Sequence, residues 1–171
     1  MALSQITYRI RISRLDDVAA VDRLFARSYP ALLKHDYAPS VMVTAVPIIS
    51  KAQPKLLASG SFYVAEGPDG EILGAGGWTA RNPNTGEARP NEANIRHFAT
   101  DPAALRQGIA GAIMARVFQD ARAAGHDRMA CLSTFTAVPF YRAKGFSVQG
   151  PVTVTLRQGV EFPAIGMTRS L

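Results

Sequence analysis

Apolar and polar positions along the chain fall into short alternating runs and a few helical stripes. Ile6, Tyr8, Ile10 and Ile12 share one parity, which predicts a half-buried strand over residues 6–13. Val18, Val21, Leu24, Phe25 and Ser28 then recur at helical spacing, behind a capping box formed by Ser13 and Asp16. Pro30 is expected to end that helix. Residues 31–60 carry the weakest pattern. A second helix is expected over residues 41–50, started near Pro39 and Ser40 and strained at Pro47. Residues 61–66 and 71–80 predict two strands joined by a turn at Gly67, Pro68, Asp69 and Gly70. Gly74, Gly76 and Gly77 lie within the second of these, where glycine marks a bulge or a close backbone approach.

Residues 81–91 are polar, with Pro83, Gly86 and Pro90, and predict a loop. The loop is long for a hairpin, and such loops are often binding elements. A strand follows over residues 94–100. Ile109, Ile113, Val117 and Ala121 then form a helical stripe that ends at Gly125. Residues 128–133 predict a strand, residues 135–144 a short helix closed by Gly145, and residues 147–156 and 161–169 a final hairpin across Arg157, Gln158 and Gly159. The strand–helix–strand unit over residues 94–133 fits a right-handed crossover.

Composition narrows the class. At 171 residues, one domain spanning residues 1–171 is expected. The 47% apolar and 19% charged content argues against disorder. No apolar run approaches the ~20 residues needed to cross a bilayer, and the start of the chain lacks the pattern of a secretory signal. The single cysteine, Cys131, leaves no internal disulfide and no cysteine-cluster metal site. A cytoplasmic protein with no resident metal is the expectation. The net charge of +6 suits a polyanionic partner or a solvated basic surface. The cations are scattered and no aromatic-rich RNA-binding strand is present, so nucleic acid is not the expected partner.

Two stretches carry candidate chemistry. Between Asp101 and Gly111 a strand opens into a helix through Leu105, Arg106, Gln107, Gly108, Ile109, Ala110 and Gly111. There is no acidic residue from Leu105 to Arg116, so bare N–H groups and the positive end of a helix dipole offer an anion site. The spacing is neither that of a Walker loop nor that of a dinucleotide fingerprint. The second stretch runs from Thr134 through Ala137, Phe140, Tyr141 and Lys144 to Gly145 and Phe146.

Together these stretches resemble the GNAT superfamily of acyl-CoA-dependent N-acyltransferases. Gly108 and Ala110 take the two small positions of that family's diphosphate loop, while Leu105 stands where Gln or Arg is usual. Ala137, Tyr141, Gly145 and Phe146 match the later motif, with Thr134 in place of Asn. The resemblance implies an α/β fold: a mixed, mostly antiparallel sheet of about seven strands covered by about four helices, with a central strand–helix–strand cofactor unit. It implies acetyl-CoA as co-substrate and a small-molecule or peptide amine as acceptor. Arg106, Gln107, Gly108, Ile109, Ala110 and Gly111 would hold the diphosphate. Phe98, Ala99 and Thr100 would pair with the pantetheine arm, the amide of Ala99 or Thr100 would polarise the thioester, and Thr134 and Ala137 would complete the cofactor wall.

Transfer to an amine also needs a proton donor for the thiolate and a route for the amine proton. Tyr141 matches the family's general acid. Glu92 and His97 are the candidate bases, Glu92 by parity with Asn94 and Arg96, His97 by its ordinary pKa. Tyr29, Tyr37, Arg96 and the loop over residues 81–91 are candidates for the acceptor site. A homodimer is left open, and a coenzyme A-binding module with a sensor or non-catalytic role is the alternative reading.

Overall fold

The computed structural model describes residues 4–171. Seven strands form one sheet: β1 (Arg9–Ile12), β2 (Phe62–Glu66), β3 (Ile72–Thr79), β4 (Glu92–Thr100), β5 (Arg128–Ser133), β6 (Ser147–Thr155) and β7 (Glu161–Ser170). Their order across the sheet is β1-β2-β3-β4-β5-β7-β6. Only β4 and β5 run parallel; every other neighbouring pair is antiparallel. The helices are α1 (Val18–Leu33), α2 (Pro39–Thr44), α3 (Val46–Ile49), α4 (Pro54–Leu57), α5 (Ile109–Ala123) and α6 (Val138–Ala143).

Both long helices follow their apolar stripes. On one face of the sheet Ile113, Met114 and Val117 of α5 pack on Tyr63, Ala65, Ala93 and Ile95. On the other, Val21, Leu24 and Phe25 of α1 pack on Phe62, Val64, Ile72 and Ala75. At about 25 cal/mol per Å² of apolar area withdrawn from water, these two layers supply the main driving force for the fold.

Several local expectations are corrected. Helix α1 runs through Pro30 to Leu33. Proline cannot donate to the carbonyl of Ala26, but both residues are exposed, so the unpaired carbonyl costs little while Leu33 is buried a turn later. Ser13 does not cap α1; its hydroxyl donates to the Leu57 carbonyl, and the carboxylate of Asp17 accepts from the Arg14 N–H. Asp17 is held in turn by Arg11 at 2.8 Å, which keeps its carboxyl below the usual range. The single helix expected over residues 41–50 is two short ones meeting at Ala45. Residues 81–91, by contrast, form the expected loop between β3 and β4, pinched by a single bridge between Arg81 and Ala88.

The feature that shapes the centre of the sheet is a bulge in β4. Ala75 faces Ala99 and Gly77 faces Arg96, so Gly76 alone opposes His97 and Phe98. His97 takes up the extra residue with a φ of 44°. Alternation along a strand is broken at such a point. Arg96 and His97 consequently both reach Gln53 on the α1 face: an Arg96 Nη donates to Gln53 Oε1 at 3.1 Å, and Gln53 Nε2 lies 2.9 Å from His97 Nε2. Phe98 falls to the α5 face beside Phe140 and Tyr141, and Ala99 returns to the α1 face.

The glycines of β3 permit this arrangement. A methyl at Gly76 would come within 2.7 Å of the Phe98 ring, and one at Gly74 within 2.5 Å of Ile109. Substituting Gly76→Ala should therefore displace Phe98 and cost about 1–3 kcal/mol, the usual range for overpacking a tight interior. Urea denaturation measures this, and an unchanged midpoint would show that Phe98 does not rest against Gly76.

Candidate functional site

Strands β4 and β5 pair only over Glu92–Asn94 and Arg128–Ala130. Beyond that point they part, and a cleft of about 1340 Å³ opens between them. Its walls come from β4, from Ser28 and Tyr29 of α1, from α6, from residues 47–55 and from the tip of the β6–β7 hairpin.

The edge of β4 in this gap is set by strand alternation. The Asp101 N–H bonds to the Leu73 carbonyl, so residues 99 and 101 turn toward β3, while residues 98 and 100 turn toward the gap. The carbonyls agree with this. Tyr29 Oη donates to the Phe98 carbonyl at 3.3 Å and Ser28 Oγ to the Thr100 carbonyl at 2.8 Å. The N–H groups of Phe98 and Thr100 are left facing the cleft. The Ala99 amide faces β3, which corrects the expectation that it polarises a bound carbonyl.

At the wide end of the gap lies the loop into α5. Arg106 and Gly108 have φ of 62° and 78°, and Gly108 is the N-cap of α5. The first backbone bond in this segment runs from Ala112 N to the Gly108 carbonyl. The N–H groups of residues 106–111 are not engaged by backbone acceptors among the described residues. The loop is tied down elsewhere: Gln107 accepts from the Ile6 N–H and the Tyr8 hydroxyl. Ile109 is buried in the core, so its backbone and not its side chain is available. Leu105 and Ala110 line the cleft, and the Arg106 side chain is exposed. Lys144, which the sequence reading passed over, brings Nζ within 3.1 Å of where a Cβ on Gly111 would sit. A cation at a helix N-terminus is disfavoured alone, so this pairing suits an anion between them.

Tyr141, Thr134 and Ala137 all line the cleft. Thr134 Oγ1 accepts from the Ala137 N–H at 3.2 Å and so shapes the turn before α6. The Tyr141 ring is packed edge-on against Phe140 and Phe146, with centroids 5.2 and 5.4 Å away. Burial, with the neighbouring Cys131, raises its phenol well above the usual value of 10. Burial also pushes the Cys131 thiol up to about 12, so it is neutral at physiological pH.

The two candidate bases part company. His97 lines the cleft, but burial and the adjacent Arg96 push its pKa down to about 4. It is a neutral imidazole whose Nε2 accepts from Gln53. Glu92 sits at the first residue of β4, where it pairs with Arg128 at 3.1 Å, and does not line the cleft. That position corrects its candidacy as a base.

Of the candidates for the acceptor end, Tyr29 and Arg96 line the cleft. Tyr37 does not; its ring stacks between Phe135 and Phe162, and its hydroxyl bridges the Pro163 carbonyl and the Phe135 N–H. From the loop over residues 81–91 only Pro83 reaches the cleft, while Asn84 bonds to the Thr153 carbonyl and the Thr155 N–H. Residues 47–55 and Thr155, Leu156, Arg157 and Gln158 add a large further part of the wall that the sequence did not single out.

Among the described residues, no helix is long and apolar enough to cross a membrane, and no group of three or more His, Cys, Asp or Glu is placed to hold a metal ion.

Known proteins share this fold. The GCN5-related N-acetyltransferase of Rhodopseudomonas palustris superposes with a TM-score of 0.75 at 18% identity, over 100% of this chain and 99% of that one. The PaiA N-acetyltransferase of Thermoplasma acidophilum, solved with coenzyme A, gives 0.67 at 12% identity over 97% and 100%. The ribosomal-protein-S18-alanine N-acetyltransferase of Escherichia coli gives 0.60 at 16% identity over 96% and 94%. No curated protein matches the chain in sequence. The acetyltransferase (GNAT) domain family matches residues 58–148, more than half of the 171-residue chain and the span from just before β2 through α6. The chain belongs to the GNAT acetyltransferase family.

Proposed function

We propose that this protein transfers the acetyl group of acetyl-CoA directly to a primary amine, with both substrates bound in the cleft. The observation that carries the reading is the parting of β4 from β5, with Tyr141 on one wall and an unfilled set of N–H groups at the α5 N-terminus. An unpaired strand edge takes up an extended amide chain as an added strand, which fits the pantetheine arm. The amides of residues 106–111 and the Lys144 ammonium suit its diphosphate. Coenzyme A in the PaiA N-acetyltransferase structure supports acetyl-CoA as the co-substrate.

In the transfer, the amine nitrogen attacks the thioester carbon and the C–S bond breaks. The Thr100 N–H, which faces the gap, is placed to donate to the developing oxyanion. Tyr141 gives its proton to the departing sulfur, and the proton lost by the newly acylated nitrogen returns through cleft water to the Tyr141 phenolate, so that thiol and amide leave and the phenol is restored. Its raised pKa keeps that proton in place at physiological pH, and the apolar rings around it exclude water. Cys131 supports direct transfer over an acyl-enzyme, because its thiol is buried and neutral.

The amine must arrive neutral. Among the described residues no carboxylate lines the cleft, and His97 is too weak a base near pH 7. Arg96, Lys51 and Lys55 lie on the acceptor wall and disfavour an ammonium there. Deprotonation is therefore assigned to the amine's own equilibrium with water.

Tyr141→Phe should lower kcat about 10–10⁴-fold and leave the acetyl-CoA Kd unchanged. Steady-state rates of thiol release, paired with calorimetric titration, measure both. An unchanged kcat where chemistry limits turnover would remove Tyr141 from the mechanism.

The pH profile offers a second check. The value of kcat/KM should rise tenfold per pH unit up to the acceptor's own pKa, and the inflection should move when the amine is changed. Because the Tyr141 phenol is raised above 10, no descending limb is expected below pH 10. An inflection between pH 5 and 8 that stays fixed across amines would reveal an enzymic base and contradict this account.

A further inference from the structure

The acceptor half of the cleft has a one-sided charge. Lys51, Lys55, Arg96 and Arg157 line it, and among the described residues no Asp or Glu does. Three of these cations are exposed, where water screens them. Arg96 differs, since it is half-buried on β4 at the bulge. Its partners are neutral: Gln53 Oε1 at 3.1 Å and Thr79 Oγ1 at 3.4 Å. Among the described residues no carboxylate lies within ion-pair distance of it, whereas Arg9, Arg11, Arg27, Arg116 and Arg128 each have one. A guanidinium carries five donors in a planar fork that matches a carboxylate in bidentate fashion. A half-buried guanidinium that lacks a counter-ion and lines a cleft is a receptor for one.

Coenzyme A does not meet that need. Its diphosphate is assigned to the α5 N-terminus, and Arg96 lies on the opposite, α1 face of the sheet. The Gln53 bridge fixes the direction of the fork. Gln53 Oε1 accepts from Arg96 while Gln53 Nε2 is held by His97, so the amide cannot rotate without breaking both contacts. Pro47, Ile48, Ile49, Leu156 and Phe162 supply apolar surface around the same end. A flexible ammonium dianchor, such as a polyamine, would meet four cations and no acceptor carboxylate there.

We propose that the acceptor is an amine that also carries a carboxylate, an amino acid or a close analogue, and that Arg96 binds that carboxylate. The assignment rests on the amine-transfer reading above. Arg96 then acts as a substrate-binding and specificity-determining residue: anchoring the carboxylate at the bulge turns the amine toward the thioester position beside Phe98 and Thr100.

The experiment uses the full chain with acetyl-CoA and three probe sets: the α-amino acids, their carboxamides, and simple alkylamines including spermidine. Thiol release gives kcat and KM for each, and calorimetry gives the acetyl-CoA Kd. At least one amino acid should be acetylated with a kcat/KM about 30-fold or more above that of its carboxamide, the scale of a lost buried charge pair. Arg96→Gln should raise KM for that acid by a similar factor, change KM for its carboxamide far less, leave the acetyl-CoA Kd unaffected, and be partly rescued in Arg96→Lys. The comparison of acid with carboxamide in the wild-type protein stands even if a variant fails to fold. Equal or better use of the carboxamide, or turnover of alkylamines alone, would overturn the proposal and leave the transferase reading standing. Failure of all three sets in a protein that binds acetyl-CoA would overturn both.

Discussion

The extra residue in β4 is the constraint on which the site depends. Gly76 opposes two residues, His97 and Phe98, and the strand must bend to accommodate them. That bend lies just past the last residues at which β4 still pairs with β5, Asn94 and Ala130. The gap that follows is where strand amides at positions 98 and 100 lose a protein partner. Buried backbone donors are rarely left unpaired in a folded protein, so the open edge is stable only as part of a cleft that water or a ligand fills. The same bulge sorts the side chains. Phe98 joins the aromatic wall around Tyr141, and Arg96 with His97 joins Gln53 on the other face. On the proposed reading the two substrates are thereby divided between the two faces of one strand.

Electrostatics follow the same division. The α5 N-terminus and Lys144 gather positive potential on one side, and Arg96 carries it on the other. Among the described residues neither side has a carboxylate in the cleft. Such a field favours anions and neutral amines and disfavours ammonium ions. On the proposed reading no strong base is needed there, in keeping with Glu92 engaged with Arg128 and His97 held neutral.

Much of this was legible in the sequence, for reasons specific to each segment. The stripe from Ile109 to Ala121 has one face toward the sheet, and β5 over Arg128–Ser133 is bounded by polar turns, so both elements fell where the pattern put them. Gly108, Tyr141 and Thr134 lie in short motifs whose backbone demands are local. The bulge was not legible in β4 itself, because residues 94–100 carry no glycine or proline to mark the inserted position. Its trace is on the neighbouring strand, in Gly74, Gly76 and Gly77, which were read as a bulge or close approach without a partner to attach it to. Strand parity counted through the bulge is wrong by one residue from His97 on, so a count from Glu92 puts His97 on the face opposite Arg96, whereas both reach Gln53. The acceptor wall was missed for a different reason. Residues 39–57 fold as three short helices, each begun at or just before a proline and placed by tertiary contacts with α1 and β2, and helices of one turn leave no period to detect.

The central claim is that the parted edge of β4 receives the acyl donor. A crystal structure of the protein with coenzyme A tests it most directly. The account predicts the pantetheine arm alongside residues 97–100, bonded to the Phe98 and Thr100 amides, with the sulfur near the Tyr141 hydroxyl and the diphosphate on the amides of residues 106–111. Coenzyme A bound outside the gap between β4 and β5, or bound there with its sulfur remote from Tyr141, would contradict it.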